Sequence, residues 1–365
     1  MEEESHKYLL ALQRTHGLGT RTIKTLIAYC GGPKAIFDKP SKALNNIPGI
    51  GRKTINAVKE KKDFSTEEQE LQQMRNKGIQ ILNYYDSDYP AKLKELHDAP
   101  LLLYYKGQPI WQKDRIISIV GTRKPTAYGK KMCRQLIEGL AYYEPVIVSG
   151  LAYGIDITAH KAALDNGLAT SGIMAHGMDQ IYPHQHKNTA GKMLNDGALI
   201  TEYPLGTKPE REYFPERNRI IAGLSDAVIV IESGPKGGAT ITADIAFSYN
   251  RDVFAVPGNA DVEQARGCNR LVKNFKAAMV ETAGDVAYQM GWDLLKSQKA
   301  KTVALPELSK NEEEVVTLLK EARQLDGDTI STKLGRSPSE VASLLLNLEF
   351  KGVVKSLPGN QFTIN

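Results

Sequence analysis

Between residues 116 and 257 the chain repeats one local pattern six times: a short, mainly apolar run, then glycine or proline, then mostly a helix-compatible stretch. The runs are Ile116–Val120, Val146–Ser149, Ala169–Ala175, Ala198–Glu202, Ala227–Glu232 and Val253–Pro257. A strand with one wet face alternates apolar and polar residues, whereas a continuous apolar run is covered on both sides. Such strands separated by helices predict an α/β protein, a Rossmann-like doubly wound, mostly parallel sheet. Two further strands, Ile79–Tyr85 and Leu101–Tyr105, flank a short helix ahead of the series, with Asp86–Pro90 as a turn. A sheet of this kind takes its ligand outside the carboxyl ends of its strands, where most of the chain's unusual residues fall.

Each flank has its own character. The front carries a repeat, GLGTRTIKTL at Gly17–Leu26 and GIGRKTINAV at Gly49–Val58. In a helix–hairpin–helix unit of this form, Gly17, Gly19, Gly49 and Gly51 permit tight turns that leave N–H groups of the next helix pointing outward. Arg21, Arg52 and Lys53 add point charges, so the pair is a candidate secondary DNA contact that grips backbone without reading bases. The alternative is two packed hairpins that serve protein contact. Residues 1–62 hold 12 basic and 5 acidic side chains, residues 63–304 hold 28 of each, and residues 305–365 hold 7 and 9. The basic excess sits at the front, which fits either a phosphate-bearing partner or a solvated basic face.

At the other end, past a polar stretch at Lys296–Lys301, three helices are expected: Glu312–Arg323, Thr329–Leu334 and one opening at Ser337. Pro338 suits the first turn of the third, and Val341, Leu344, Leu345 and Leu348 form its apolar stripe. A hairpin follows, Val353–Ser356, Pro358–Gly359–Asn360 and Gln361–Ile364, which completes a winged helix. Glu340 and Glu349 on the third helix, in an acidic unit, favour protein contact over DNA. The expected division is residues 1–64, 65–300 and 305–365. Composition excludes other classes: with 365 residues, 41% hydrophobic and 24% charged, the chain is neither disordered nor fibrous. No apolar run approaches the roughly 20 residues that span a bilayer, and the opening MEEESHKYLL lacks the basic start and apolar core of a secretory leader. A cytoplasmic protein without membrane contact is expected. Cys30, Cys133 and Cys268 lie far apart, so neither a disulfide framework nor a thiolate zinc site is suggested.

The chemistry concentrates in five turns. Gly121-Thr122-Arg123-Lys124 closes the first strand of the series and opens a helix, offering backbone donors and a planar guanidinium to an anion. Ser149-Gly150 ends the second and leads to Asp156 and His160; Gly-x-Ser-x-Gly is absent, and an i, i+4 Asp–His pair reads as a surface helix pair rather than part of a hydrolase triad. In Tyr182-Pro183-His184-Gln185-His186-Lys187, His184 and Lys187 are candidate anion contacts; His-x-His as a metal pair is the weaker reading. The loop with Lys208, Arg211 and Phe214, followed by Arg217-Asn218-Arg219, suits single-stranded nucleic acid, with bases stacked on the ring at about 1–3 kcal/mol each and cations on phosphates. The other reading of Phe214 is a cap on the core. Finally Ser233-Gly234-Pro235-Lys236-Gly237-Gly238-Ala239-Thr240 is a glycine-rich anion nest before a helix, and no Walker sequence occurs. No catalytic residue, metal ligand or cofactor is assigned.

VGTRKPTAYG, VSGLAYGIDITAHKAAL, YPLGTKPEREYFPERNRIIAGLSDAVIVIESGPKGGATITA and AVPGN, in that order, make the central region similar to the DNA-processing protein A family, DprA or Smf. The resemblance implies a cytosolic bacterial protein that dimerises through its Rossmann-like domain, binds single-stranded DNA and loads RecA onto it in natural transformation. It leaves room for contact with single-strand DNA-binding protein and implies no enzymatic activity. By motif, Arg123 matches the family's phosphate-binding arginine, while Phe214, Arg217, Asn218 and Arg219 fall in its Phe-Pro-x-Arg-Asn-Arg segment. Gly150, Gly237 and Gly238 match its glycine turns. Members often carry lysine just after the Tyr-Pro pair, where this chain has His184, so that contact falls to His184 or to Lys187. The competing reading is a nucleotide-processing enzyme of the phosphoribohydrolase type, whose Pro-Gly-Gly-x-Gly-Thr-x-x-Glu loop resembles Gly234–Asp244 but with its glutamate missing and Asp244 displaced.

Overall fold

The computed structural model describes residues 2–292, 308–322, 324–357 and 359–364, which fall into two compact units, Met1–Met290 and Gly291–Asn365. The Lys296–Lys301 stretch, Arg323 and Pro358 lie outside the described residues.

The first unit is built on a nine-stranded sheet. Its strands are β1 (Gln80–Asn83), β2 (Leu102–Gly107), β3 (Ile116–Gly121), β4 (Val146–Ser149), β5 (Thr170–Ile173), β6 (Ala198–Thr201), β7 (Ala227–Ile231), β8 (Asp252–Ala255) and β9 (Ala278–Met279). They lie in the order β1-β2-β6-β5-β4-β3-β7-β8-β9. From β6 to β9 all neighbours are parallel, and β2 joins β6 antiparallel, as β1 joins β2. The order reverses between β3 and β7, because β3 is followed by strands on one side and β7 opens the other. That gap is the topological switch point, the natural ligand position in a doubly wound sheet.

The central strands are as dry as their sequence demands: β4, β5, β6 and β7 are buried along their whole length. The polar exception in β3, Ser118, donates to the Ile221 carbonyl at 2.9 Å and meets Ser225 Oγ at 2.5 Å, so its burial leaves no unpaired hydroxyl. β9 is not expected from the sequence, since two residues are too short to show a period.

Helices α1 (Glu2–Arg14), α2 (Thr20–Cys30), α3 (Pro33–Asp38), α4 (Ser41–Asn45), α5 (Arg52–Glu60) and α6 (Ser65–Asn76) precede the sheet, and the short α7 (Ala91–Lys94) lies between β1 and β2. The repeat folds twice in the same way: Gly17 and Gly49 take φ of +78° and +77°, and Gly19 and Gly51 are the N-caps of α2 and α5. Leu9, Leu12, Ile23 and Ile55 share one buried core with Leu102 and Tyr104 of β2, so the helical head is packed onto the sheet.

The second unit is a winged helix. Its helices are Lys310–Ala322, Gly327–Leu334 and Pro338–Phe350, the last opened by a Ser337–Glu340 capping box with Pro338 in the first turn. Val354–Leu357 and Gln361–Ile364 form the hairpin. A third strand, Gln324–Asp326, pairs with Gln361–Thr363; three residues between two helices carry no alternation that would announce it.

Candidate nucleic-acid interface

A cavity of about 670 Å³ opens at the carboxyl ends of β3 and β7. Its floor is set by close backbone packing. A Cβ at Gly121 would strike the Ile231 carbonyl oxygen of the paired strand and the side chain of Ile155, so only glycine lets the chain turn there. Past this turn the helix α8 (Ala127–Leu140) begins, capped by Thr126 Oγ accepting from Gly129 N. Between them Arg123 and Lys124 stand exposed.

Arg123 is the hinge of the site. Its guanidinium carbon lies 5.3 Å from the centre of the Phe214 ring, on the helix α11 (Tyr213–Leu224), and Tyr182 lies 5.9 Å beyond that ring. Phe214 is half-buried in the cavity wall, and Tyr182 is exposed. A cation over one aromatic face beside a second aromatic is the arrangement that accepts a base and its phosphate together. On the opposite wall, helix α12 (Gly238–Ser248) points its N-terminus at the cavity; Gly237 is its N-cap, and no side chain satisfies the first N–H groups. At Gly238 nothing lies within 4 Å of a would-be Cβ, so the backbone is open to approach.

The floor of the cavity is a buried polar network, and it corrects the sequence-based placement of two residues. Arg217, expected on phosphates, is only 3% exposed. Its Nη1 donates to the carbonyls of Gly150, at 2.7 Å, and Ile173, tying the ends of β4 and β5 together. A Cβ on Gly150 would fall 2.5 Å from Nη1, so Gly150 makes room for this guanidinium rather than cradling an anion itself. Burial pushes Arg217 down to about 10, while the Asp156 charge resists that shift. Asp156 is held above the ordinary carboxylate range by burial, opposed by Arg217 and by N–H groups of Ala152 and Gly150, which donate to its Oδ2 at 3.4 and 3.1 Å.

The helix α9 (Ile155–Asp165) therefore does not show Asp156 and His160 as a surface pair: both are buried, and each has its own partner. His160 Nδ1 meets Thr170 Oγ1 at 2.7 Å, and Ser149 Oγ donates to the Ile119 carbonyl at 2.6 Å, so no Ser–His–Asp relay exists. His184 and His186 also diverge. They form a 3₁₀ turn with His184 exposed and His186 buried, its Nδ1 2.7 Å from the Leu151 carbonyl. Among the described residues no group of histidine, cysteine, aspartate and glutamate could hold a metal.

The remaining candidates separate by position. Gly121, Arg123, Arg211, Phe214, Asn218, Gly237 and Gly238 line the cavity. Lys208, His184 and Lys187 are exposed but stand outside its lining, the last opening the helix α10 (Lys187–Met193). Arg219 points away: two residues from Arg217 on α11 it reaches the other face, where it pairs with half-buried Glu202. Thr240 Oγ1 is spent on the Gly237 carbonyl at 2.7 Å, which braces the nest from within. In the head, Arg21, Arg52 and Lys53 are exposed beside their glycine turns.

Two features escape the sequence reading. Tyr182 is overshadowed there by its charged neighbours, although an aromatic before proline in a strand-end turn is a usable signal. The loop bearing Lys208 and Arg211 is fastened by Asp179, whose Oδ1 accepts from Gly206 N at 2.9 Å, and by Glu70 of α6, which accepts from Leu205 N at 2.9 Å. Glu70 lies 135 residues away in sequence, and no local pattern announces it.

Fold and cavity together place the chain among doubly wound α/β proteins with a ligand cavity at the switch point, followed in sequence by a winged helix. Residues 80–291 match the family of DNA recombination-mediator protein A, and residues 299–360 match the DprA winged helix domain. Protein Smf of Synechocystis is 37% identical over 278 residues, covering 75% of this chain and 70% of its own. The chain belongs to the DNA recombination-mediator protein A family. Among solved structures, DprA from Streptococcus pneumoniae superimposes with a TM-score of 0.68 at 33% identity, covering 77% of this chain and 97% of that one. DNA processing protein A from Helicobacter pylori, described with its single-stranded DNA binding mode, gives 0.54 at 28% identity over 59% and 96%.

Proposed function

We propose that this protein binds single-stranded DNA at the switch-point cavity and acts as a recombination mediator that protects incoming strands and loads RecA onto them in natural transformation. The observation that carries the reading is the Arg123 guanidinium seated over Phe214 at the mouth of an uncapped helix N-terminus. Rings with open faces take any base, and a guanidinium and backbone N–H groups take phosphate. The Helicobacter pylori relative supports the ligand class. Dimerisation through the Rossmann-like unit, cytoplasmic location and RecA as partner rest on the family resemblance; among the described residues no helix is long and apolar enough to cross a membrane.

The phosphoribohydrolase reading finds little support. Asp244, the displaced acid of that motif, is at the surface in an ion pair with Lys276 at 2.6 Å and does not line the cavity. The carboxylate that does, Asp156, is committed to two backbone N–H groups. We read the site as binding rather than catalytic. In the head, the paired glycine turns are a secondary contact for duplex backbone, and the winged helix is a protein-contact unit.

The test is RecA filament assembly on single strands precoated with single-strand DNA-binding protein, with and without this protein. Faster assembly that is lost in Arg123→Ala supports the proposal. Unaltered assembly, or release of free base from nucleoside monophosphates on incubation with the protein, would overturn it.

A further inference from the structure

Arg123 borders two cavities. Besides the switch-point cavity it lines a groove of about 740 Å³ between α8 and α9. The groove is strongly basic: Lys124, Lys130, Arg134 and Lys161 line it, against a single carboxylate, Asp165. Lys130 and Arg134 sit four residues apart on α8, about 6 Å along the axis and on one face, and Lys161 confronts them from α9. Some cations at the surface are paired with carboxylates, as Lys276 is with Asp244 and Arg336 with Glu314. Among the described residues none of these four is ion-paired, so the helices hold like charges together without a compensating partner.

The groove also has an aromatic of its own. Tyr153 is 44% exposed, and its ring is fixed by a hydrogen bond from its hydroxyl to Gln185 Oε1 at 2.9 Å and by an edge contact to His186 at 5.0 Å. Arg123 thus stands between two aromatic platforms, Phe214 on one side and Tyr153 on the other, each with cations beside it. A basic track with spaced aromatics is the form in which proteins follow a single strand beyond one nucleotide.

We infer that a single-stranded polynucleotide held at Phe214 crosses Arg123 and continues along the α8–α9 groove, with a base on Tyr153 and phosphates on Lys130, Arg134 and Lys161. This extension rests on the proposed binding at the switch point and sets the direction and length of the strand there. The three cations are exposed, so their removal leaves the core intact.

The experiment compares the full-length protein with Lys130→Ala/Arg134→Ala/Lys161→Ala in fluorescence anisotropy against salt, using oligothymidylates of about 5 and about 20 nucleotides. For the long strand the log–log salt slope is expected to become shallower by about 2, at about 0.7 for each phosphate no longer neutralised, with the short strand unchanged. Tyr153→Ala should weaken the long strand about 5- to 150-fold at constant slope. An unchanged slope for the long strand overturns the inference, and so does an equal loss for both lengths, which would put these cations on the phosphates already held at Phe214. Arg123→Ala keeps the two claims apart: if it leaves both strands bound as before, the switch-point reading itself fails.

Discussion

The protein has two places where glycine turns open helices next to positive charge, and they are built on different grounds. In the helical head, a Cβ at Gly17, Gly19, Gly49 or Gly51 would meet nothing within 4 Å; Gly17 and Gly49 are required only by their positive φ, and Gly19 and Gly51 not even by that. At the switch point the demand is steric. Gly121 is pressed on Ile231 and Ile155, Gly150 on Arg217, and Gly237 on Ser233. The head sets its turns on a local helical scaffold, whereas the switch point fixes its turns by packing against four strands and the buried Arg217 guanidinium. A site held that way has little freedom to lose when a ligand binds, which favours affinity. The contrast teaches that a glycine turn becomes a site through what lies behind it.

The largest effect expected from breaking this contrast is at Arg217. Arg217→Leu leaves Asp156 buried without its counter-charge and unties the ends of β4 and β5, so urea unfolding should show a loss of about 3–5 kcal/mol. Asp156→Asn added to it should restore part of that loss. Equal destabilisation in the double variant would show that the two residues do not act as a pair.

Next comes acid sensitivity. Burial pushes His160 down to about 3, so its imidazole is neutral in the folded protein. A base depressed in the folded state binds more protons when unfolded; its contribution is complete above the unfolded value near 6.5 and is lost at about 1.4 kcal/mol per pH unit below it. Between about pH 7 and pH 5 the parent should therefore lose about 2 kcal/mol more than His160→Gln. The same loss in both would place the acid-sensitive group elsewhere.

The smallest effects sharpen the comparison of turns directly. Gly121→Ala should cost about 1–3 kcal/mol by overpacking, Gly17→Ala about 1–2 kcal/mol through its left-handed backbone, and Gly19→Ala about 0.5–1 kcal/mol, the gap between glycine and alanine at an N-cap. Thermal unfolding of the three variants gives the ranking, and a Gly19→Ala loss as large as that of Gly121→Ala would erase the distinction between the two regions.

The sheet was legible because each central strand is dry on both faces and says so in its residues; Ile116–Val120 and Val146–Ser149 need no tertiary information. The glycine turns and Arg123 could be read as well, since strand, glycine and helix follow one another in sequence. What could not be read was orientation around a helix in an unknown neighbourhood. Arg217, Asn218 and Arg219 look equivalent in the chain, but about 100° per residue sends the first into the buried floor of the cavity, the second to its wall and the third to Glu202 on the far side. Polar residues that serve the interior look like ligands: Asp156, His160 and Thr240 carry functional chemistry and are spent on backbone and neighbouring hydroxyl groups. The tether from Glu70 to the loop bearing Lys208 and Arg211 spans too much sequence for any pattern to show it.

The most direct test of the central claim is fluorescence anisotropy of one labelled oligonucleotide, single-stranded and then duplex, across a salt series, with the parent and Arg123→Ala/Phe214→Ala. The account predicts a preference for the single strand, a log–log salt slope near −0.7 per phosphate contacted, and a loss in the double variant of about 30-fold or more. Preference for duplex, unaffected by the double variant, would contradict it and move the binding to the glycine turns of the head.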